Sequence, residues 1–140
     1  MRTDRQRSDR QRSDRQRSEP RRSERQRRGD WAEQHALEQL QRRGWRLLDR
    51  QWRCRWGELD LVVVKGRRLL LVEVKARSGP GLDGCGSGAL GALKRRRLQH
   101  AWACWLAAHP AWGDAPVEMV AALVPLPPAR APVRWLRLEV

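Results

Sequence analysis

The chain has 140 residues and a formal net charge of +14, with 30 Lys plus Arg against 16 Asp plus Glu. That length allows one domain, and no apolar run approaches the ~18–20 residues that span a bilayer. The three cysteines, Cys54, Cys85 and Cys104, lack CxxC spacing, which argues against a zinc site or disulfide framework and leaves reduced thiols in a cytoplasmic protein as the expectation.

The basic balance suits a polyanionic partner, most simply nucleic acid. The preponderance of Arg over Lys, 27 to 3, fits phosphate recognition and equally fits codon composition. Residues 1–28 repeat a five-residue unit, Asp4 to Ser8, Asp9 to Ser13 and Asp14 to Ser18, with degenerate copies from Glu19 and Glu24. This stretch carries 12 Arg against 5 acids and almost nothing apolar. It cannot bury enough surface to offset the entropy of ordering, so a disordered basic arm is expected. Such an arm adds phosphate contacts; a repeat expansion or a start upstream of the true domain explains it equally. It has no apolar segment and does not resemble a secretory signal.

An α/β domain is expected over residues 29–124, followed by a linker and a C-terminal strand over 125–140. Asp30 and Glu33 fit a capping box, and Gly44 fits the residue just past a helix end. Between them Ala36, Leu37 and Leu40 form a helical stripe. Glu33 falls on the same inward face, as a capping acid or as a carboxylate of a buried site. Trp45 to Arg50 reads as an edge strand. In Gln51 to Gly57, Arg53 and Arg55 alternate with Trp52 and Trp56, a pattern that grips phosphate and stacks on bases, or packs at a core rim.

Leu59–Lys65 and Leu69–Ala76 are Val- and Leu-rich runs around Gly66-Arg67, and read as a hairpin. Pairing Lys65 with Arg68 sets Asp60 opposite Glu73 and Glu58 opposite Lys75. Because side chains two apart share a strand face, Glu58, Asp60, Glu73 and Lys75 are expected on one face, with Val62, Val64, Leu69 and Leu71. Opposed Cβ atoms lie roughly 4.5–5.5 Å apart, close enough for Asp60 and Glu73 to hold one divalent cation, Mg²⁺ or Mn²⁺. Lys75 would then orient or deprotonate a water, or steady transition-state charge. A solvent-facing ladder of salt bridges is the competing explanation, and the apolar company of these residues opposes it.

Residues 78–91 form a Gly-rich loop without a P-loop pattern. A helix is expected from Ala89 to Ala108, with Leu90, Leu93, Leu98, Ala101, Trp102, Trp105 and Leu106 as its apolar face. Lys94, Arg95, Arg96 and Arg97 make a basic cluster for phosphate contact, or a solvated face. Val117–Val124 and Val133–Val140 read as strands, the last of them either closing the sheet or offering a dimer edge. Most of the eight Trp are expected in packing roles, since Phe and Tyr are absent.

This order of elements, with Asp60 and Glu73-x-Lys75 on the hairpin, resembles the restriction-endonuclease-like fold of the PD-(D/E)xK nucleases. Ala32-Glu33, Gly44-Trp45, Gln51-Trp52-Arg53, Gly57-Glu58-Leu59-Asp60-Leu61, Val72-Glu73-Val74-Lys75-x-Arg77 and Lys94-Arg95-Arg96-Arg97-Leu98 resemble the YraN-type family of uncharacterised bacterial proteins, over about Asp30 to Val124. That family is similar to archaeal Holliday-junction resolvases. The resemblance implies Glu33 as a third metal ligand beside Asp60 and Glu73, Lys75 as a catalytic residue, Glu58 in support, and Arg77 with the other basic residues on DNA. It also implies branched DNA as substrate and a homodimer to cut two strands. Where the family carries Arg-Phe-Asp on its late strand, this chain has Glu118-Met119-Val120. A non-catalytic nucleic-acid-binding module on the same fold is the alternative.

Overall fold

The computed structural model describes residues 22–78 and 91–139. Most of the repeat arm and all but the ends of the Gly-rich loop, Cys85 included, lie outside them. The elements are α1 (Glu24–Arg42), β1 (Arg46–Cys54), β2 (Gly57–Lys65), β3 (Arg68–Arg77), α2 (Ala92–Ala108), a single 3₁₀ turn (Pro110–Trp112), β4 (Val117–Pro125) and β5 (Arg134–Arg137). The five strands form one sheet in sequential order. The β3–β4 pair is parallel and the others are antiparallel. The helical crossover through α2 is what makes a parallel neighbour for β3 possible.

Alternate residues of the strands pack against different helices. Leu61, Val63, Leu70 and Val72 join Ala32, Ala36, Leu37 and Leu40 of α1. Leu59, Val62, Val64, Leu69 and Leu71 join Leu98, Ala101, Trp102 and Trp105 of α2. The result is a three-layer restriction-endonuclease-like core, as the order of elements predicts.

The helix α1 begins earlier than its sequence suggests. Its N-cap is Ser23, whose hydroxyl accepts from the Gln26 amide while the Gln26 side chain accepts from the Ser23 amide. The expected Asp30–Glu33 box therefore lies inside the helix, and residues 24–28 of the supposed arm are helical. Asp30 instead pairs with Arg22. The end holds as expected: Gly44 takes φ +90° and its amide donates to the Gln41 carbonyl, a conformation glycine adopts without a Cβ penalty.

The hairpin register is as expected from Lys65↔Arg68 to Leu61↔Val72. Gly66 at φ +63° opens the turn. β1 is longer than expected and carries a bulge between Leu47 and Asp49. α2 starts at Ala92, so Leu93 sits in its first turn and is 62% exposed instead of buried. β5 is shorter than expected and pairs with β4, taking an edge of the sheet. Trp102 and Trp105 are buried, whereas Trp31 is exposed. Cys54 and Cys104 are free thiols. Among the described residues no helix is long and apolar enough to cross a membrane.

Candidate metal centre

The site forms where the hairpin ladder stops. Below Leu61↔Val72 no further β2–β3 pair forms. The Val74 amide, which faces β2, is satisfied instead by the Asp60 carboxylate at 2.8 Å. A side chain thus replaces the main-chain acceptor that a buried N–H requires.

The strict alternation that would set Glu58, Asp60, Glu73 and Lys75 on one face breaks here. Leu59 packs on the α2 side, as do Val62 and Val64, but Leu61 and Val63 pack on the α1 side. The pleat therefore slips by one residue, and Asp60 turns toward α1 together with Leu61. β1 slips at the same level. Asp49 accepts from the Trp105 indole of α2 at 3.1 Å and Trp52 packs on that side, while Arg50 and Gln51, neighbours in sequence, both reach Glu33 of α1. Gln51 takes φ +50° to do so, a region costly for a residue with a Cβ. Glu73 and Lys75 keep the α2-facing side of β3, with Leu69 and Leu71.

The predicted residues are consequently divided between the two sides, with Glu73 outside the group of carboxylates that gathers beside α1. Single oxygens of Glu33, Glu58 and Asp60 lie within 4.8 Å of one another on the α1 side. Glu33 is anchored by Arg50 Nε at 2.7 Å, and Glu58 by Arg53 Nε at 2.9 Å. Glu73 approaches from the α2 side, only 4% exposed, and its Oε1 has no hydrogen-bond partner.

Burial and crowding show in the proton affinities. Burial pushes the Asp60 carboxyl up to about 6, helped by the Glu33 and Glu58 charges and opposed by the Val74 amide. Burial pushes Glu73 up to about 8, with Asp60 adding to it and Lys94 and Lys75 opposing. Burial pushes the Lys75 amine down to about 8, and the neighbouring Lys94 adds to that. Glu33 is also raised by burial, against the pull of Arg50. Groups shifted in opposite directions within one cleft are a mark of functional sites.

The donors fit a hard divalent cation. All are carboxylate oxygens, one buried oxygen lacks any partner, and the charges of Asp60 and Glu73 oppose each other.

The basic residues divide. Arg53 holds Glu58, and the Arg55 guanidinium lies 4.7 Å over the Trp56 ring. Arg77 is half-buried at the end of β3. Lys94 and Arg97 border a cavity beside Glu73, while Arg95 and Arg96 are on the same helix outside its lining. Lys94 also acts electrostatically on Glu73 and Lys75. Arg50 and Gln51 were not among the sequence candidates. No spacing rule links them to Glu33, 17 and 18 residues away; the signals are the run of polar residues in mid-strand and, for Gln51, the family-like Gln51-Trp52-Arg53.

A profile described as "Uncharacterised protein family UPF0102" matches residues 32–126. A UPF0102 protein of Prochlorococcus marinus (strain MIT 9303) is 50% identical over 113 residues, covering 81% of this chain and 90% of the relative. One from Synechococcus sp. (strain CC9902) is 50% identical over 111 residues, 79% of this chain and 92% of the relative. One from Pseudomonas entomophila (strain L48) is 41% identical over 110 residues, 78% and 89% respectively. The chain belongs to the UPF0102 family, the YraN-type family whose motifs its sequence carries.

Proposed function

We propose that this protein is a metal-dependent nuclease that hydrolyses phosphodiester bonds in structured or branched DNA. The observation that carries the proposal is the buried Glu73 oxygen without a partner, beside Asp60, in a chain of net charge +14. A carboxylate so placed is costly unless protonated or bound to a cation.

Asp60 and Glu73 would hold Mg²⁺ or Mn²⁺, with Glu33 as third ligand and Glu58 in support. The bound ion supplies Lewis acidity at a phosphate and makes a water a better nucleophile. Arg50 orients Glu33 through its 2.7 Å ion pair. The Val74 amide fixes one Asp60 oxygen and leaves the other for the ion. Lys75, with its affinity lowered to about 8, can exchange a proton near neutral pH. Lys94, Arg95, Arg96, Arg97, Arg55 and Arg77 supply positive charge for the strand's phosphates. The branched substrate is drawn from the resemblance to archaeal resolvases; a symmetric homodimer would present two such sites.

A second reading is a binding module without catalysis. The arginines already paired with Glu33 and Glu58 favour it, because they neutralise two of the four carboxylates without a metal. One experiment separates the two: incubation of a labelled four-way junction, a plain duplex and a single strand with Mg²⁺ or Mn²⁺, with Glu73→Ala in parallel. Metal-dependent cutting that the variant loses supports the nuclease. Tight binding with no cutting by either protein supports the module.

A further inference from the structure

We infer that the cavity between β3 and α2 receives one unpaired nucleotide of the substrate, its phosphate at the start of α2 and its base against Leu93 and Trp56. This rests on the nucleic-acid reading above. The cavity measures about 430 Å³, and its lining includes Trp56, Glu58, Glu73, Leu93, Lys94 and Arg97. That volume is of small-ligand size, within the roughly 300–1,000 Å³ of such pockets.

Two features at its rim point to a phosphate, and a third to the cation beside it. The α2 N-cap is Gly91, which offers no side-chain hydrogen bond, and the first turn holds no acid. Among the described residues none accepts from its first-turn amides, and these together with the positive end of the helix dipole favour an anion. Lys94 and Arg97, three residues apart, rise from one side of the same helix. Glu73 lines the cavity as well, 4% exposed and with Oε1 unpartnered. An anion seated at the helix start thus lies against the ligands of the proposed cation.

The remaining wall is apolar. Leu93 is 62% exposed at the mouth. Trp56 forms part of the opposite wall, held between His100, stacked at 4.5 Å, and the Arg55 guanidinium 4.7 Å over its ring, so the base meets its edge. An apolar slot beside a phosphate site is the combination that a nucleobase fills. A base inside a duplex is stacked on both faces and must leave the stack to enter a cavity of this size. The substrate class is therefore nucleic acid with an unpaired nucleotide next to the bond at the carboxylates.

The test uses the full chain with Ca²⁺ in place of Mg²⁺ and fluorescence anisotropy on three labelled duplexes: fully paired, with a one-nucleotide flap, and with the same flap made abasic. The base-bearing flap is expected to bind about tenfold more tightly than the abasic one. Leu93→Ser is expected to bring that ratio toward one, and Arg97→Ala to weaken both flaps. Equal affinity of the wild type for the two flaps, or an unchanged ratio in Leu93→Ser, overturns this inference and leaves the nucleic-acid reading standing. No binding to any of the three duplexes overturns both.

Discussion

The two ends of the β2–β3 hairpin obey different rules. At the turn end, Leu61–Val64 and Leu69–Val72 form a continuous ladder of apolar pairs, with Leu61, Val62, Leu71 and Val72 fully buried. At the open end the ladder is interrupted, the pleat slips, and charged groups take the buried positions. Asp60 bonds to a backbone amide, and Glu73 is left with an oxygen unpartnered. The turn end holds the sheet together; the open end gives up regular hydrogen bonding to bring carboxylates in from both faces. Stability and chemistry are thus separated along one pair of strands, within about four residues.

Substitutions at the two ends should have different consequences. Asp60→Ala or Glu73→Ala is expected to lower cleavage by on the order of 10³-fold or more, measured as initial rate on the best junction substrate. Wild-type rates in both variants would remove the site assignment. Leu71→Ala, at the turn end, is expected to cost about 3 kcal/mol in urea unfolding through the cavity it leaves. A loss below about 1 kcal/mol would mean that the turn end is not the stable one.

Protonation sharpens the comparison further. Glu73 binds its proton more tightly folded than unfolded, with its affinity raised from 4.5 to about 8. Its contribution to metal-free stability is therefore full below pH 4.5 and lost as pH rises through about 8. Asp60 acts in the same sense, from 3.8 to about 6. The melting temperature of metal-free wild type should fall relative to Glu73→Gln between pH 5 and 8, and added Mn²⁺ should narrow the gap. Parallel melting curves across that range would show that Glu73 carries no buried charge.

The smallest effect concerns the slip in β1. Gln51 at φ +50° is a residue in a glycine-like conformation, and its side-chain bonds to Asp30 and Glu33 are long, 3.4 Å each. Gln51→Gly is expected to raise stability by about 1 kcal/mol, with little change in cleavage. A destabilised variant would mean that those bonds outweigh the strain.

Much of this molecule was legible in the sequence, and the reasons for the misses are specific. Gly66-Arg67 between two aliphatic runs determined the hairpin register, because turn length and burial leave one pairing that hides both runs. The stripe Ala36, Leu37, Leu40 located α1 for the same reason. The start of α1 was hidden because Ser23 and Gln26 belong to a polar repeat in which every unit carries similar caps. Leu93 was assigned to the core by periodicity, but it stands in the first turn of a helix that begins at Ala92. The acidic quartet was found as a set, since ionisable residues in apolar runs stand out. Its geometry was not, because a pleat slip leaves no trace in composition: Asp60 and Leu61 share a side only through a backbone irregularity. The Arg50–Glu33 pair depends on the slip in β1, whereas Arg53 stands opposite Glu58 in the β1–β2 ladder.

On the proposed reading Asp60 and Glu73, reaching in from opposite faces, hold one cation between them. The decisive experiment is anomalous scattering from a crystal of the full chain grown with Mn²⁺. A single strong peak bonded to carboxylate oxygens of both residues is expected. A crystal with no peak there, and with Glu73 hydrogen-bonded to protein alone, would contradict it.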